Sequence, residues 1–406
     1  MLTTPPLSLY VHFPWCVRKC PYCDFNSHAS SGPVPELRYI DILLRDLEQA
    51  APRLAARELQ SVFLGGGTPS LFSPQSMQTL LEGIRRSMHL AADAEITMEA
   101  NPGTIERGRF ADYRSAGITR VSLGAQSFEA RHLAALGRIH SVGETYRAVD
   151  ELAVAGIENF NLDLMYGLPG QSLAEARADL EAAMALEPAH LSHYQLTLEP
   201  GTAFFHAPPP LPADDETWDM QVECQALLAA RGFAQYEVSA YARAHRRSRH
   251  NLNYWEFGDY VGIGAGAHGK ITLAPAATIL RTVRARSPKE YIATVERGEP
   301  PAESAVPGDQ LPFEYMLNAL RLREGFASAS FEARTGLSAS IIDAPLRRAR
   351  DRGLVGEIEG QGWRCTDLGY RFLNDLLEYF LPESMVGPRD SYTQAPTMEF
   401  ATKRCD

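Results

Sequence analysis

Residues 7–195 alternate between short aliphatic and β-branched runs and longer stretches whose apolar positions recur about every 3.6 residues. Because parallel strands need a crossover that is usually a helix, this alternation predicts repeated βα units. The predicted strands are Leu7–His12, Gln60–Leu64, Glu95–Glu99, Arg120–Leu123, Asn159–Leu164 and His190–Gln195. The predicted helices between them are Leu37–Ala51, Pro74–Met88, Arg107–Ala116, Val142–Ala155 and Leu173–Leu186. Six such units indicate an α/β fold with a partial barrel.

The pattern changes after Pro200. A helix is predicted at Asp214–Arg231 and a strand at Tyr236–Tyr241, and the chain becomes helical again from about Phe313. Short helical segments around a β-like pair in this last part are typical of a small winged-helix module. We therefore divide the chain into a partial barrel at 1–235, an extension at 236–305, a winged-helix-like C-terminal domain at 306–382 and a flexible tail at 383–406.

Three of the six cysteines, Cys16, Cys20 and Cys23, follow the first predicted strand in C-x3-C-x2-C spacing. Thiolates bind soft metals, and an Fe–S cluster or zinc needs several of them on a short, bent segment. Three protein ligands leave one metal position open for a small molecule. A zinc site completed by His12 or His28 stays an alternative on spacing alone.

The balance of 39 basic and 50 acidic residues gives a formal charge of −11, which argues against general nucleic-acid binding. No run of 18 apolar residues is present, and the N-terminal residues do not resemble an export signal. We expect a protein without a transmembrane segment in the reducing cytoplasm, where an oxygen-sensitive cluster would be protected.

The cysteine spacing, with Tyr22 before the last cysteine, resembles the signature of the radical S-adenosylmethionine (SAM) family. This resemblance implies a [4Fe–4S] cluster on the three cysteines, with SAM bound at the fourth iron and reduced there by one electron. A glycine-rich turn, Gly65-Gly-Gly-Thr-Pro69, follows the second predicted strand. Radical SAM proteins have their glycine-rich contact to SAM at the same position. Polar residues such as Glu99 at the other strand ends would usually form salt bridges or helix caps. The resemblance instead assigns the following residues to the cluster and SAM site: Tyr10, Gly67, Thr68, Glu99, Gln126, Arg138 and Asp163.

The same stretches are similar to the branch typified by oxygen-independent coproporphyrinogen III oxidase. That oxidase carries an additional cysteine two residues after the third cluster cysteine, where this chain has Phe25. The chain instead resembles the HemW haem chaperones, whose H-N-x-x-Y-W element is linked to haem binding. The matching residues are His250, Asn251, Tyr254 and Trp255. Without the resemblance, the two aromatic residues would be read as core residues at a strand or turn.

This resemblance implies a protein that binds haem and passes it to acceptor proteins, membrane-bound respiratory enzymes among them. It also implies an electron donor to the cluster, and we expect a homodimer and no nucleic-acid partner. The alternative function is oxidative decarboxylation of coproporphyrinogen III, with SAM as oxidant. A zinc-stabilised binding protein is the third class.

Overall fold

The computed structural model describes residues 1–30, 32–54, 57–104, 109–359 and 361–382. The predicted tail at 383–406 lies outside the described residues. The strands in the described part are β1 (Leu7–Phe13), β2 (Trp15–Cys16), β3 (His28–Ala29), β4 (Glu58–Gly66), β5 (His89–Ala100), β6 (Arg120–Gln126), β7 (Phe160–Tyr166), β8 (His190–Gln195), β9 (Ala234–Gln235), β10 (Ala240–Ala242), β11 (Asp259–Ile263), β12 (His268–Leu273), β13 (Thr278–Val283), β14 (Ala302–Ala305), β15 (Phe326–Ala327), β16 (Val355–Ile358) and β17 (Gly362–Cys365).

The α-helices of the described residues alternate with the strands in the first half of the chain and cluster at its end. They are α1 (Glu36–Ala50), α2 (Pro74–Ser87), α3 (Arg109–Ala116), α4 (Ala130–Ala135), α5 (Val142–Ala155), α6 (Leu173–Ala185), α7 (Ala203–His206), α8 (Asp214–Ala230), α9 (Arg249–Trp255), α10 (Pro288–Glu296), α11 (Leu311–Ala319), α12 (Ser328–Thr335), α13 (Ser340–Asp351), α14 (Asp367–Arg371) and α15 (Leu373–Leu377). Short 3-10 turns lie at Ala51–Arg53, Pro69–Leu71, Pro102–Thr104, Ala274–Ala276 and Glu378–Phe380.

The six predicted strands form the parallel centre of one large sheet, in the order β1-β4-β5-β6-β7-β8. On the far side of β1, the strand β11 pairs in parallel, and β12, β13 and β14 continue the sheet in antiparallel fashion. On the far side of β8, β10 and β9 pair in antiparallel fashion. The prediction of a six-unit α/β partial barrel is confirmed.

Alternation along the strands separates an apolar face from a polar one. Leu9 and Val11 of β1 belong to the buried core that the sheet shares with Tyr39 and Leu43 of α1. Ser8, the neighbouring residue on the other face, is hydrogen-bonded to a serine of β4 instead. Successive side chains of a strand point to opposite faces of the sheet. The apolar face therefore packs against the helices outside the barrel, and the polar face points into the barrel.

The predicted strand at Tyr236–Tyr241 is wrong in its extent. Residues 236–239 form a turn between the two short strands β9 and β10. The turn is stabilised by the buried Tyr236 hydroxyl, which is hydrogen-bonded to His190 Nε2 at 2.8 Å, and by Glu237, which is ion-paired with Arg321 at 3.0 Å. These tertiary polar contacts override the local β propensity of the segment.

The C-terminal helical domain has its own core. Three short strands in the order β15-β17-β16 pack with α11, α12 and α13 around buried residues such as Phe331 and Leu346. The same core includes Phe257 and Ile279, so it continues into the preceding segment. After β17 the chain forms two short helices, α14 and α15, which are separated at Phe372 and followed by a 3-10 turn.

The large sheet runs across residue 235 and reaches residue 305, while the C-terminal core begins near residue 311. The division of the chain at 235 stays a prediction. Within the described ranges, no helix has both the length and the apolar composition that crossing a membrane would require.

Asp259 at the start of β11 is fully buried and connects three parts of the sheet. Its carboxylate accepts hydrogen bonds from Arg57 at 2.8 Å, from Lys270 at 3.1 Å and from both the amide and the hydroxyl of Thr272 at 2.8 Å. A buried carboxylate needs such partners to offset the loss of hydration. Asp259 thereby ties β11 to β12 and to the segment that enters β4.

We expect Asp259→Ala to lower the free energy of unfolding by about 3–5 kcal/mol, because it leaves Lys270 and Arg57 without their counter-charge. Urea unfolding followed by circular dichroism measures this change. The matched control is Asp93→Ala, which removes the ion pair between Asp93 and Arg249. Because the Asp93 side chain is 73% exposed, this variant should lower the free energy of unfolding far less. Equal losses in the two variants would contradict the role assigned to Asp259.

Candidate functional site

A cavity of about 500 Å³ opens at the carboxyl ends of the parallel strands, where ligands gather in such folds. Its lining combines the strand ends with residues of the C-terminal domain. Nine residues predicted from the sequence contribute to it: Cys16, Cys20, Cys23, Gly67, Thr68, Glu99, Gln126, Arg138 and Asp163. Residues from five separate strand ends therefore meet in one space.

Tyr10 is placed elsewhere. Its hydroxyl is hydrogen-bonded to His12 Nδ1 at 2.9 Å, and its ring stacks on Phe63 with 6.2 Å between centroids. His12 in turn contacts the backbone oxygen of Asn26 at 3.0 Å through Nε2. Tyr10 is thus connected to the cysteine segment through His12 rather than through the cavity lining.

The cysteine segment is closed by backbone pairing at its base. Trp15 pairs with His28 and Cys16 with Ala29, while the amide of Cys23 donates to the carbonyl of Cys20 at 3.1 Å. This turn brings the three cysteines onto the same side of the cavity. Pro14 and Pro21, which suit a bent segment, lie where the strand ends and where the turn begins.

Each of the three sulfur atoms lies next to a hydrogen-bond donor. Thr68 Oγ1 lies 3.4 Å from Cys16 Sγ, Arg138 Nη1 lies 3.6 Å from Cys20 Sγ, and Ser27 Oγ lies 3.7 Å from Cys23 Sγ. Such donors stabilise a thiolate.

Burial raises the pKa of the Cys16 thiol and raises the pKa of Cys23 to about 11. Both thiols are therefore protonated at neutral pH unless a metal displaces the proton.

The three thiols and their donors fit a cluster. Among the described residues, no three histidine, cysteine, aspartate or glutamate side chains converge as ligands of a single metal ion. A [4Fe–4S] cluster does not require such convergence, because each thiolate binds a different iron. Bound by these cysteines, a cluster would supply single electrons to a ligand in the cavity.

The glycine turn after β4 lies directly against the cysteine segment. The Gly67 amide donates to the carbonyl of Phe13 at 2.6 Å, and the Thr68 amide donates to that of Trp15 at 2.8 Å. A Cβ on Gly67 would lie 2.6 Å from the carbonyl oxygens of Phe13 and Trp15, so a side chain is excluded. Gly66 has a φ of +107° and donates its amide to Glu99 Oε2 at 2.8 Å.

The ends of the later strands add hydrogen-bonding groups to the cavity. Gln126 has a φ of +64°, an uncommon conformation for a residue with a side chain, and its Oε1 accepts from the Tyr194 hydroxyl at 2.8 Å. Asp163 accepts from Ser122 Oγ at 3.2 Å. Arg138 donates to the Gly124 carbonyl at 2.9 Å in addition to its contact with Cys20.

Several cavity residues were not predicted. Tyr194 lies near the end of β8 on the same face as Asp163, so strand alternation alone could have identified it. Leu317, Arg321 and Leu377 belong to the C-terminal domain and reach the cavity only through its tertiary position. No signal in the sequence indicates that contact.

The H-N-x-x-Y-W element forms the seven-residue helix α9, not a strand or a turn. Ser248 caps the helix by accepting from the Asn251 amide, and the buried Glu95 accepts from the Arg249 amide at 2.9 Å. Tyr254 stacks on Tyr260 with 4.3 Å between ring centroids, and Trp255 is 9% exposed. The four residues of the element do not contribute to the cavity lining.

His250 is 1% exposed and packs inside the barrel. Its ring stacks on Phe63 at 4.6 Å and on Tyr10 at 6.3 Å between centroids. Neither ring nitrogen has a hydrogen-bond partner among the described residues. Burial, together with the nearby Arg120, lowers the pKa of His250 to about 3, so the imidazole is neutral at pH 7.

Two arginines at the start of α9 and just before it are ion-paired. Arg249 forms an ion pair with Asp93 at 2.8 Å, and Arg247 forms one with Glu324. Both pairs lie near the surface, where such contacts contribute little to stability.

Comparison with known proteins shows the family to which the chain belongs. Residues 10–183 match the radical SAM superfamily, and residues 306–372 match the HemN C-terminal domain. Over 383 residues the chain is 50% identical to the "Heme chaperone HemW" of Escherichia coli (strain K12), with coverage of 94% of this chain and 100% of that protein. The chain belongs to the HemW family.

Other HemW proteins match over similar lengths. Those of Haemophilus influenzae and Mycobacterium tuberculosis (strain H37Rv) are 49% and 38% identical, covering 93% and 91% of this chain and 99% and 95% of those proteins. The solved structure of coproporphyrinogen III oxidase (HemN) from Escherichia coli, described as a radical SAM enzyme, has a TM-score of 0.79. It covers 93% of this chain and 90% of that one at 23% identity, which shows a shared fold.

We expect Cys16→Ser, Cys20→Ser and Cys23→Ser each to lose most of the iron and sulfide bound after anaerobic reconstitution, because the cluster would lose a thiolate. Iron and sulfide assays measure the loss. The control is Cys365→Ser, which replaces a buried thiol that donates to the Leu320 carbonyl at 3.3 Å and should retain both elements. Stoichiometric zinc without sulfide in the wild-type protein would contradict a cluster.

A second prediction concerns acid stability. Below pH 6.5, the unfolded chain protonates His250 while the folded chain, with its pKa near 3, does not. The contribution of His250 to the free energy of unfolding should therefore fall by about 1.4 kcal/mol for each pH unit below about 6.5. The difference between the wild-type protein and His250→Gln in urea unfolding should shrink by about that amount between pH 7.5 and pH 5.5. A difference that stays constant with pH would show that His250 is solvated.

Proposed function

We propose that this protein is a haem chaperone that carries a [4Fe–4S] cluster and SAM, binds haem and transfers it to acceptor proteins. The observation that carries the proposal is the full-length match, at 50% identity, to a protein named as a heme chaperone. The likeness to the oxidase, at 23% identity, extends to the fold alone. Phe25, where that oxidase has an additional cysteine, is part of the cavity lining.

The cluster and SAM are assigned to the side of the cavity built by the strand ends. Arg138 offers a cation for the carboxylate of SAM, while Glu99 and Asp163 offer acceptors for its ammonium and ribose hydroxyls. Gly67 and Thr68 line this side of the cavity and offer backbone groups to the ligand. Gln126 completes this side, and Tyr10 supports it through His12.

Haem is assigned to the α9 element. We propose that His250 ligates the iron, since a neutral imidazole is a common axial ligand. In the described conformation, the ring is enclosed by Phe63 and Tyr10, so α9 must move before the iron can approach. Asn251, Tyr254 and Trp255 would then form the surroundings of the macrocycle.

The partners follow from the same proposal. The acceptors are respiratory haem proteins, including membrane-bound ones, and a separate electron donor reduces the cluster. The protein acts in the cytoplasm.

We expect His250→Ala to weaken haem binding and to shift the Soret maximum, because the proposed axial ligand is lost. Titration of the reconstituted protein with haem, followed by absorbance, measures both. The matched control is His193→Ala, which removes another buried imidazole, stacked on Tyr166 at 4.7 Å and outside α9. Unchanged affinity and spectrum in His250→Ala would remove His250 as a ligand, and absence of haem binding by the wild-type protein would refute the proposed function.

A further inference from the structure

One part of the cavity wall comes from the C-terminal domain and differs in character from the strand ends. Leu317 of α11 and Leu373 and Leu377 of α15 form an apolar surface there. Two polar side chains accompany them, Arg321 and Asn374. A mainly apolar wall with a few placed polar groups is the usual composition of a site for an organic ligand.

Arg321 is held rigidly at this wall. Its guanidinium lies 4.2 Å above the ring of Trp255, and its Nη2 is ion-paired with Glu237 at 3.0 Å. The Arg321 carbonyl accepts a hydrogen bond from the Tyr370 hydroxyl, which fixes the backbone. A guanidinium stacked on an aromatic face and paired along one edge loses little further entropy when it binds a ligand.

Arg321 also keeps donor capacity. Its Nε is buried and has no hydrogen-bond partner among the described residues, and the side chain as a whole is 22% exposed. A buried donor without a partner is costly unless a ligand or water satisfies it.

The other cations of the described cavity lining are Arg18 and Arg138. Arg138 lies at the side of the cavity built by the strand ends, where it contacts Gly124 and Cys20, and Arg18 is an exposed residue of the cysteine segment. Arg321 is therefore the cation that adjoins the apolar wall.

This combination suits a flat apolar molecule that carries a carboxylate, and haem has that chemistry in its macrocycle and its propionates. We propose that the C-terminal wall is a seat for haem, in which Arg321 binds a propionate and Leu317, Leu373 and Leu377 contact the macrocycle. The inference rests on the proposed function, since it names the place at which the haem of that function is held.

The seat connects the cavity with the buried α9 element. Because Trp255 lies beneath the Arg321 guanidinium, the last residue of the element supports the group that binds the propionate. Substitutions in α9 would then weaken haem binding through Arg321, even where the substituted side chain has no contact with the cavity.

The test uses the reconstituted full-length protein titrated with haem and with haem dimethyl ester, which lacks free carboxylates. For Arg321→Gln we expect affinity for haem to fall by about 10- to 100-fold, the loss typical of a hydrogen bond to a charged group. Affinity for the ester should be the same in the variant and the wild-type protein, because neither can form the ion pair with it. The iron and sulfide contents of both proteins should be equal.

The matched control is Arg323→Gln. Arg323 stacks on Tyr370 at 4.0 Å and pairs with Asp367 at 3.0 Å, and it does not line the cavity. Its substitution should leave haem affinity unchanged. A second variant, Leu373→Glu, places a carboxylate on the partly exposed wall and should weaken binding of both haem and the ester, so the inference is tested even if Arg321→Gln does not fold.

The outcomes separate the two proposals. Absence of haem binding by the wild-type protein would refute the proposed function and the seat with it. Haem binding by the wild-type protein together with unchanged affinity in Arg321→Gln or in Leu373→Glu would refute the seat alone. An equal loss for haem and for the ester in Arg321→Gln would show that Arg321 does not bind a propionate.

Discussion

The parallel pairing of β1 with β4 is the constraint on which the site depends. Their register places the end of β1 beside Gly65 and Gly66, so the cysteine segment and the glycine turn leave the sheet side by side. Hydrogen bonds from the Gly67 and Thr68 amides then join the two segments at the backbone. Because only glycine fits against the carbonyls of Phe13 and Trp15, the turn fixes the position of the thiols relative to the rest of the cavity.

Much of this arrangement follows from local patterns in the sequence. The alternation of apolar runs identifies the six parallel strands. The rule that ligands gather at the carboxyl ends of such strands predicts one site for Cys16, Glu99 and Asp163, and all three line the cavity. The rule needs only the order of strands and helices. It works here because these residues lie within or shortly after strands whose hydrophobic pattern is clear.

Other features depend on contacts that no local pattern records. Residues Tyr236–Tyr241 have the composition of a strand, but the bonds of Tyr236 to His190 and of Glu237 to Arg321 turn the chain. The burial of His250 depends on Phe63 of β4, which is distant in sequence. Arg321 reaches the cavity because the C-terminal domain packs beside it, and α9 is too short for periodicity to show which face it buries.

The cavity therefore joins two kinds of surface, one built by the barrel and one by the C-terminal domain. The barrel supplies thiols, a cation and acceptors, which suit a cluster and SAM. The C-terminal domain supplies an apolar wall with Arg321, which is linked through Trp255 to a helix that encloses His250. Haem binding and the position of α9 are coupled in this account, because Arg321 contacts both the haem and Trp255 of α9.

Haem delivery tests the central claim most directly. The haem-loaded protein is mixed with a haem-free respiratory cytochrome, and the appearance of the cytochrome spectrum is followed over a range of cytochrome concentrations. The account predicts a transfer rate that rises with cytochrome concentration and exceeds the rate at which haem is released to a soluble scavenger. A rate that equals the release rate and does not depend on the cytochrome would contradict a chaperone.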